Sequence, residues 1–484
     1  MNRFMTFYSR PMTQVAMVGL VAFCLPGLYN TITGMGAAGM VDPSVAANAN
    51  VALYVAGIFS SLFIAPLTFK YLGNYAMFVG GLTYPLYMGS LWAYGHIESR
   101  GFCIAAGALL GVGAQMFWIC QGSIMISYPV EADKGKAIAL FWVIFNLGGF
   151  LGSIISFAIN FNSTAGKVSD ATYIAFTILM IVGACIALIM LPRHKIVRKD
   201  GSRVALVHKD RKITVKSLFV EALDIFKAGF ANPKLLALIP FFYSSNFVYS
   251  YQFDAVNGAL FNVRTRGLNG ALYWGSQMLG SVLFSCLLDW KKYSRRTRAI
   301  AALTVLFVFF NAVWIGALFS QLQYGVYTTG LPAEDRLDLT SGPHYGAELT
   351  LYICFGLADS MWQTFIYWVI GTLSNEPATL GVYTGFFKAF QNAGAASGWK
   401  VDASHVPYLH FLIACWVLIL ISFPGAYWVA FTTKETSGYS EEIEQDQHDR
   451  IEQDKLGGDA ATTSEAAKVT DEDTKSSDVK EIEH

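Results

Sequence analysis

The chain has 484 residues, of which 54% are hydrophobic and only 14% charged, with a mean hydropathy of +0.42. A soluble domain of this length needs far more charged surface, so composition excludes a water-soluble globular protein. The formal net charge of zero hides a division: Thr433–His484 carries 16 acidic and 6 basic residues, and the remainder holds the matching positive excess.

The apolar residues fall into runs of about 20, the length that crosses roughly 30 Å of hydrocarbon. Backbone in lipid must satisfy its own hydrogen bonds, so each run predicts a helix. In chain order the first six are Met12–Thr33, Val51–Tyr71, Tyr75–Tyr94, Phe102–Ser127, Ala137–Phe161 and Ala171–Leu191. The first run is too long for the apolar part of a signal peptide and lacks a clear cleavage site, so it is read as a membrane helix. A long basic loop, Pro192–Pro233, follows. Within it Val215–Phe230 sets Leu218, Phe219, Leu223 and Phe226 at helical spacing, which predicts an amphipathic helix at the membrane surface. The second six are Leu235–Phe261, Leu268–Leu288, Arg298–Gln321, Ala347–Leu373, Leu380–Trp399 and Val406–Phe431, with a mildly acidic loop at Leu322–Gly346. The last segment is rich in Glu, Asp, Ser, Thr and Lys. It has too few large apolar residues to offset its ordering entropy, which predicts a disordered cytosolic tail.

The expected fold is therefore an all-α membrane protein with twelve transmembrane helices in two six-helix pseudo-repeats. The first half spans 1–192, a basic linker 193–233, the second half 234–432 and the tail 433–484. With both termini in the cytosol, the inner loops and N-terminus hold about 21 Lys and Arg against 6 outside, which fits the positive-inside rule. The basic clusters at Arg193–Lys216 and Lys291–Arg298 dominate that count. The sequon Asn162-Ser163-Thr164 then falls outside, a candidate glycosylation site at Asn162.

A weak repeat supports the division. At an offset of 245 residues, Gly111 matches Gly356, Met116 matches Met361, Glu131 matches Glu376, Phe145 matches Phe390 and Gly149 matches Gly394. Two parallel six-helix repeats are the organisation of major facilitator transporters, whose substrate site lies near the midplane between the halves.

Ionisable groups inside membrane helices are costly and usually face a cavity or a partner. Asp254, Asp359 and Lys388 are such groups. At about 1.5 Å of rise per residue, Asp359 lies roughly 16 Å below one surface and Lys388 roughly 12 Å above the other, so the two can meet as an ion pair near the midplane. Asp254 lies about 28 Å along its helix, near the outer mouth. Amide and hydroxyl groups share their helical faces: Tyr243, Asn246, Ser250 and Asn257 with Asp254, Gln363 and Tyr367 with Asp359, and Thr384, Gln391 and Asn392 with Lys388. In the first half, Asn30, Gln115, Trp118, Gln121 and Asn146 are the comparable positions. A functional pair would rearrange during transport, and a poorly solvated Asp359 is a candidate carrier of a coupling proton. A structural pair would only fix helix packing.

Other signals point away from chemistry. All seven cysteines lie in apolar runs without a CxxC pair, and the eight histidines do not cluster, so no disulfide framework, metal site or cofactor is indicated. Gly34-Met35-Gly36-Ala37-Ala38-Gly39 has the composition of a nucleotide loop but follows a membrane helix, with no strand. No GxSxG, HExxH or P-loop pattern occurs, so an enzyme is not expected. The partners implied are the lipid bilayer and a small solute or ion, with no nucleic acid.

Several strings taken together resemble the uncoordinated-93-like family of the major facilitator superfamily, closest to its fungal-type members. They are LYNTITGMGAAG (Leu28–Gly39), YPVEADKGKAIALFWVIFNLGG (Tyr128–Gly149), FNVRTRGLNGALYWGSQMLGS (Phe261–Ser281), GLADSMWQ (Gly356–Gln363) and YTGFFKAFQNAGAASGW (Tyr383–Trp399). The resemblance implies the twelve-helix fold. Its implication for activity is divided between solute transport and an accessory role, regulating an ion channel or escorting a membrane partner. The loop Phe69–Tyr75 departs from the superfamily pattern, since it lacks the Asp-Arg pair. The loop after Leu288 keeps Asp289 with Lys291, Lys292, Arg295 and Arg296, which leaves a charged latch for the second half.

Overall fold

The computed structural model describes residues 3–34, 43–130, 133–161, 170–198, 214–325, 331–332, 335–404 and 406–435. Asn162, most of the glycine-rich turn after Gly34, part of the basic linker and the acidic tail beyond Glu435 lie outside the described residues.

The regular structure of the described residues is helical, with isolated bridge residues at Val197 and between Phe261 and Leu337. After a short helix, Arg3–Tyr8, α1 covers Pro11–Gly34. Helix α2 runs from Pro43–Phe59 through a π-turn, Ser60–Ile64, into Ala65–Leu72, and α3 is Tyr75–Gly81 continued by Thr83–Ile97. Then come α4 (Arg100–Ser127), α5 (Lys134–Asn160) and α6 (Asp170–Ile189). The amphipathic α7 spans Val215–Ala231. Helix α8 is broken into Pro233–Ala237, Ile239–Phe247 and a π-segment, Tyr251–Gly258. The rest are α9 (Val263–Leu288), α10 (Arg295–Tyr324), α11 (Pro343–Leu373), α12 (Pro377–Ala403) and α13 (Tyr408–Phe431).

Six of these are long and apolar enough to cross a membrane, namely α1, α4, α5, α9, α10 and α13, and Asn48–Ile64 and Tyr173–Ile189 are shorter apolar helices. Helices α11 and α12 have 31 and 27 residues, ample length, but Asp359, Gln363, Lys388, Gln391 and Asn392 interrupt their apolar runs. Large apolar side chains are exposed around the helices, including Ile189 at 62%, Val308 at 62% and Phe319 at 69%. So extensive an apolar surface needs lipid rather than water.

In lipid no hydrophobic drive brings helices together, so close packing must come from small residues. Gly111 of α4 sits against the Leu53 carbonyl of α2, and Gly356 of α11 sits in the same way against the Tyr273 carbonyl of α9. A Cβ at either position would clash with backbone. Across the two halves of the sequence, α5 packs along α9, and α12 packs along α2 and α4.

The expected amphipathic helix is present, and its faces divide. Phe226 stacks on Phe63 and Phe230 packs edge-on to Phe386, while Phe219 and Leu223 face outward. At the opposite end of the molecule a strap precedes α11. Leu331 and Leu337 donate backbone N–H bonds to the carbonyls of Ala259 and Leu260, each at 2.8 Å. Asp338 accepts from Arg264, Asn262 and Thr265. The Arg264 guanidinium holds the Asp338 carboxyl far below the usual carboxylate range.

Candidate functional site

Between the two halves lies a cavity of about 130 Å³. Its first-half wall comes from α1, α2, α4 and α5. Pro26 lacks an N–H and widens α1 into a π-turn, Phe23–Gly27, just before Tyr29 and Asn30, which line the cavity. Gln115 and Trp118 of α4 line it beside Asn50 of α2. The second-half wall comes from Asn246 and Tyr249 of α8, Gln277 of α9, Gln363 of α11, and Lys388, Gln391 and Asn392 of α12.

Lys388 is 6% exposed, and its ammonium donates to Gln391 Oε1 at 2.7 Å. The charge also lies 4.5 Å from the ring centre of Trp118, 4.8 Å from Phe387 and 5.6 Å from Tyr367. Ring faces attract a desolvated cation by about 2 kcal/mol, which offsets part of its burial cost. Because Trp118 belongs to the first half, this contact crosses the cavity.

Asp359 is buried behind the wall. Its Oδ2 accepts from Tyr249 Oη at 2.6 Å and from Gln277 Nε2 at 2.8 Å. It makes no ion pair with Lys388, which corrects the expectation of direct contact. A relay of amides separates them. Gln391 Nε2 donates to Gln363 Oε1 at 3.1 Å, and Gln363 Nε2 donates to Asn246 Oδ1 at 3.2 Å. Gln363 also reaches the Asp359 carboxylate. Equal depth in the membrane did not imply contact, because α11 and α12 turn these two side chains to different neighbours.

The amides also tie the halves together. Asn392 Oδ1 accepts from Gln115 Nε2 and its Nδ2 donates to Ser61 Oγ, both at 3.2 Å. Tyr367 Oη donates to Gln121 Oε1 at 3.3 Å. Asn30 lines the cavity, whereas Asn146 is buried elsewhere with neither side-chain polar atom bonded to protein.

The polar face expected on α8 is not continuous. The wide turn over Tyr251–Gly258 changes the register of residues beyond Ser250. Asn246 and Tyr249 reach the cavity, but Asp254 lies against Asp402 at the end of α12, close enough for a hydrogen bond between the carboxyls. Asn257 accepts from Asn269 Nδ2 at 3.0 Å and braces α8 on α9.

At the end carrying the basic clusters, two further contacts join the halves. Asp289 accepts the N–H groups of Gly135 at 3.2 Å and Lys136 at 2.9 Å, capping the start of α5, where unpaired N–H groups and the helix dipole favour an anion. Burial nevertheless pushes its pKa up to about 6. A Cβ at Gly135 would collide with this carboxylate, so the contact requires glycine. Lys134 Nζ donates to the Gly371 carbonyl at 2.6 Å and to Asn375 Oδ1 at 2.7 Å, holding the end of α11. The charged latch expected at Asp289 thus engages a helix start rather than the neighbouring lysines and arginines.

Sequence reasoning missed Tyr249, Gln277, Asn50, Ser61 and Lys134. Gln277 and Lys134 carried a readable signal, a polar group within or at the start of an apolar run. Tyr249 carried none.

Residues 46–423 match the family model described as "Ion channel regulatory protein UNC-93". The chain is 41% identical over 420 residues to "UNC93-like protein 1" of Arabidopsis thaliana, covering 86% of this chain and 89% of that protein. It is 39% identical over 416 residues to "UNC93-like protein C922.05c" of Schizosaccharomyces pombe, covering 85% and 80%. Among solved structures, the major facilitator superfamily transporter FucP in its outward conformation superposes with a TM-score of 0.57 at 12% identity, over 87% of this chain and 98% of that one. That likeness establishes the fold.

Proposed function

Given that the chain belongs to the UNC-93 family and has the major facilitator fold, we propose that it is a secondary transporter. It moves a small solute by alternating access, with the central cavity as its binding site. The observation that carries this reading is a cavity whose wall draws polar side chains from both halves, joined by single hydrogen bonds that domain rocking can exchange. The Asp289–α5 and Lys134–α11 contacts form the closure at one end. The positive-inside bias assigns that end to the cytosol. Twelve spans follow when α2, α3, α6, α8, α11 and α12 are counted with the six apolar helices, their polar residues turned inward.

Asp359 is the candidate proton carrier. Tyr249, Gln277 and Gln363, which line the cavity, hold its carboxylate, so a proton entering with solute would reorganise the wall that binds it. The test is uptake by proteoliposomes across a panel of sugars, amino acids, nucleobases and organic acids, with and without an inward proton gradient. Accumulation that the gradient drives, and that Asp359→Asn converts into passive exchange, supports proton coupling. Uptake unchanged by the gradient and by the variant removes it.

The family description favours a second reading, an accessory protein that regulates an ion channel. It predicts a membrane partner that co-purifies in mild detergent, and full rescue of a deletion phenotype by a chain whose cavity is blocked.

A further inference from the structure

Resting on the reading of the cavity as a solute site, we propose that the solute is a small organic monoanion: one carboxylate on a flat body that also carries a hydroxyl group.

The first argument is charge. Lys388 is the one charged side chain among the described residues lining the cavity. Asp359 lines a separate small cavity beside Ser245, Gln252 and Trp362. Its Oδ2 is engaged by Tyr249 and Gln277. A ligand in the main cavity therefore meets a cation and no carboxylate. The Lys388 ammonium has three N–H donors. Among the described residues only Gln391 Oε1 accepts from it, and the rings of Trp118 and Phe387 flank the rest. An anionic oxygen satisfies what the rings leave. One lysine, with no arginine fork, suits one carboxylate better than a phosphate.

The second argument is shape. Trp118, Trp142, Trp274 and Tyr29 present aromatic surface to the cavity. Flat apolar bodies bury well against such walls, with a few polar groups fixing their orientation. An apolar cavity of about 150 Å³ accepts benzene, and a space of about 130 Å³ is of that order, the scale of one small ring.

The third argument is hydrogen bonding. Gln115 Oε1 and Gln277 Oε1 are buried acceptors, and Trp142 Nε1 is a buried donor. None has a protein partner, and all three residues line the cavity. Buried polar groups are normally paired. These atoms lie just behind the cavity surface, and a side-chain rotation brings a glutamine oxygen to a ligand hydroxyl and the indole N–H to a ligand oxygen. A body with only a carboxylate would leave both glutamine acceptors unmet.

The test uses the purified full chain in detergent and three matched probes: 4-hydroxybenzoate, its neutral isostere 4-hydroxybenzamide, and the cation 4-hydroxybenzylamine. L-Fucose is a fourth, polar and uncharged. Ligand-dependent shifts of the unfolding midpoint report binding. The expected order is acid above amide, with the amine inert. In Lys388→Met the affinity for the acid falls about tenfold or more and that for the amide falls less, so the preference for the acid is lost. The wild-type preference needs no variant, so it stands even if Lys388→Met folds poorly. Amide or fucose binding as tightly as the acid, or a preference for the amine, overturns the anion assignment while leaving the cavity as a solute site. Absence of binding by all four probes also overturns it. Two-sided labelling of a cavity cysteine then decides separately whether the cavity serves transport.

Discussion

The proposed transport cycle makes Asp289 couple pH to closure of the basic end. Its carboxylate is closed over by the start of α5, and burial raises its pKa from the ordinary 3.8 to about 6, against the pull of the Lys136 and Gly135 amides and of Arg298. When the two halves separate there, Asp289 returns to water and to its ordinary value. The closed state thus binds the proton more tightly than the open one. The proton's stabilisation of the closed state is fully present below pH about 4 and is lost as pH rises through about 6. The difference amounts to at most about 3 kcal/mol, or roughly a hundredfold in the open-to-closed ratio. Spin labels at Tyr75→Cys and Tyr293→Cys, both exposed at this end of the molecule, report the distance in a background lacking the seven native cysteines. Longer distances should gain population between about pH 4 and 7.5. Asp289→Asn, which is neutral throughout, should stay closed and flat. A wild-type distance that is constant, or that shortens with rising pH, refutes the reasoning. So does an Asn variant that keeps the full pH dependence.

Three other perturbations probe the supporting contacts. Lys134→Met removes both bonds to the end of α11 and should weaken closure by roughly 2 kcal/mol, seen as longer distances between the same two labels at acid pH. Gly111→Val and Gly356→Val force side chains into the Leu53 and Tyr273 carbonyls. Each should cost about 1–3 kcal/mol or more in thermal unfolding, whereas Gly89→Ala, which meets open space, should cost almost nothing. Asp338→Ala frees Arg264, Asn262 and Thr265 from the strap, so the amides of Leu331 and Leu337 should exchange hydrogen faster while those of α4 are unaffected.

The fold was legible because membrane helices announce themselves by length and apolarity. Where the reading slipped, polarity had blurred that signal. Helix α2 begins at Pro43 rather than Val51, because Ala46–Asn50 is too polar to register as apolar although it is helical, and its Asn50 accepts from Tyr29. In the site, Asp359, Lys388, Gln363, Gln391 and Asn392 stood out because polar groups in apolar helices need a reason. Which of them touch was not legible. Depth along a helix axis fixes one coordinate, and the contacts depend on helix rotation. The face of α8 shows this most clearly. A straight helix joins Asn246, Asp254 and Asn257, whereas the π-segment leaves Asn246 at the cavity and sends the other two to Asp402 and Asn269. Tyr249, which holds Asp359 together with Gln277, is neither charged nor rare enough to stand out in a chain with 24 tyrosines.

The central claim is that one cavity opens alternately to the two sides of the membrane. Ala114 lines it, is 5% exposed and is close in size to cysteine. Ala114→Cys in the cysteine-free background, treated with a membrane-impermeant maleimide in right-side-out and in inside-out vesicles, measures access from each side. The account predicts labelling from both sides, with Asp289→Asn slowing it from the side of the basic clusters. Labelling confined to one side in every background would contradict alternating access and favour an accessory role.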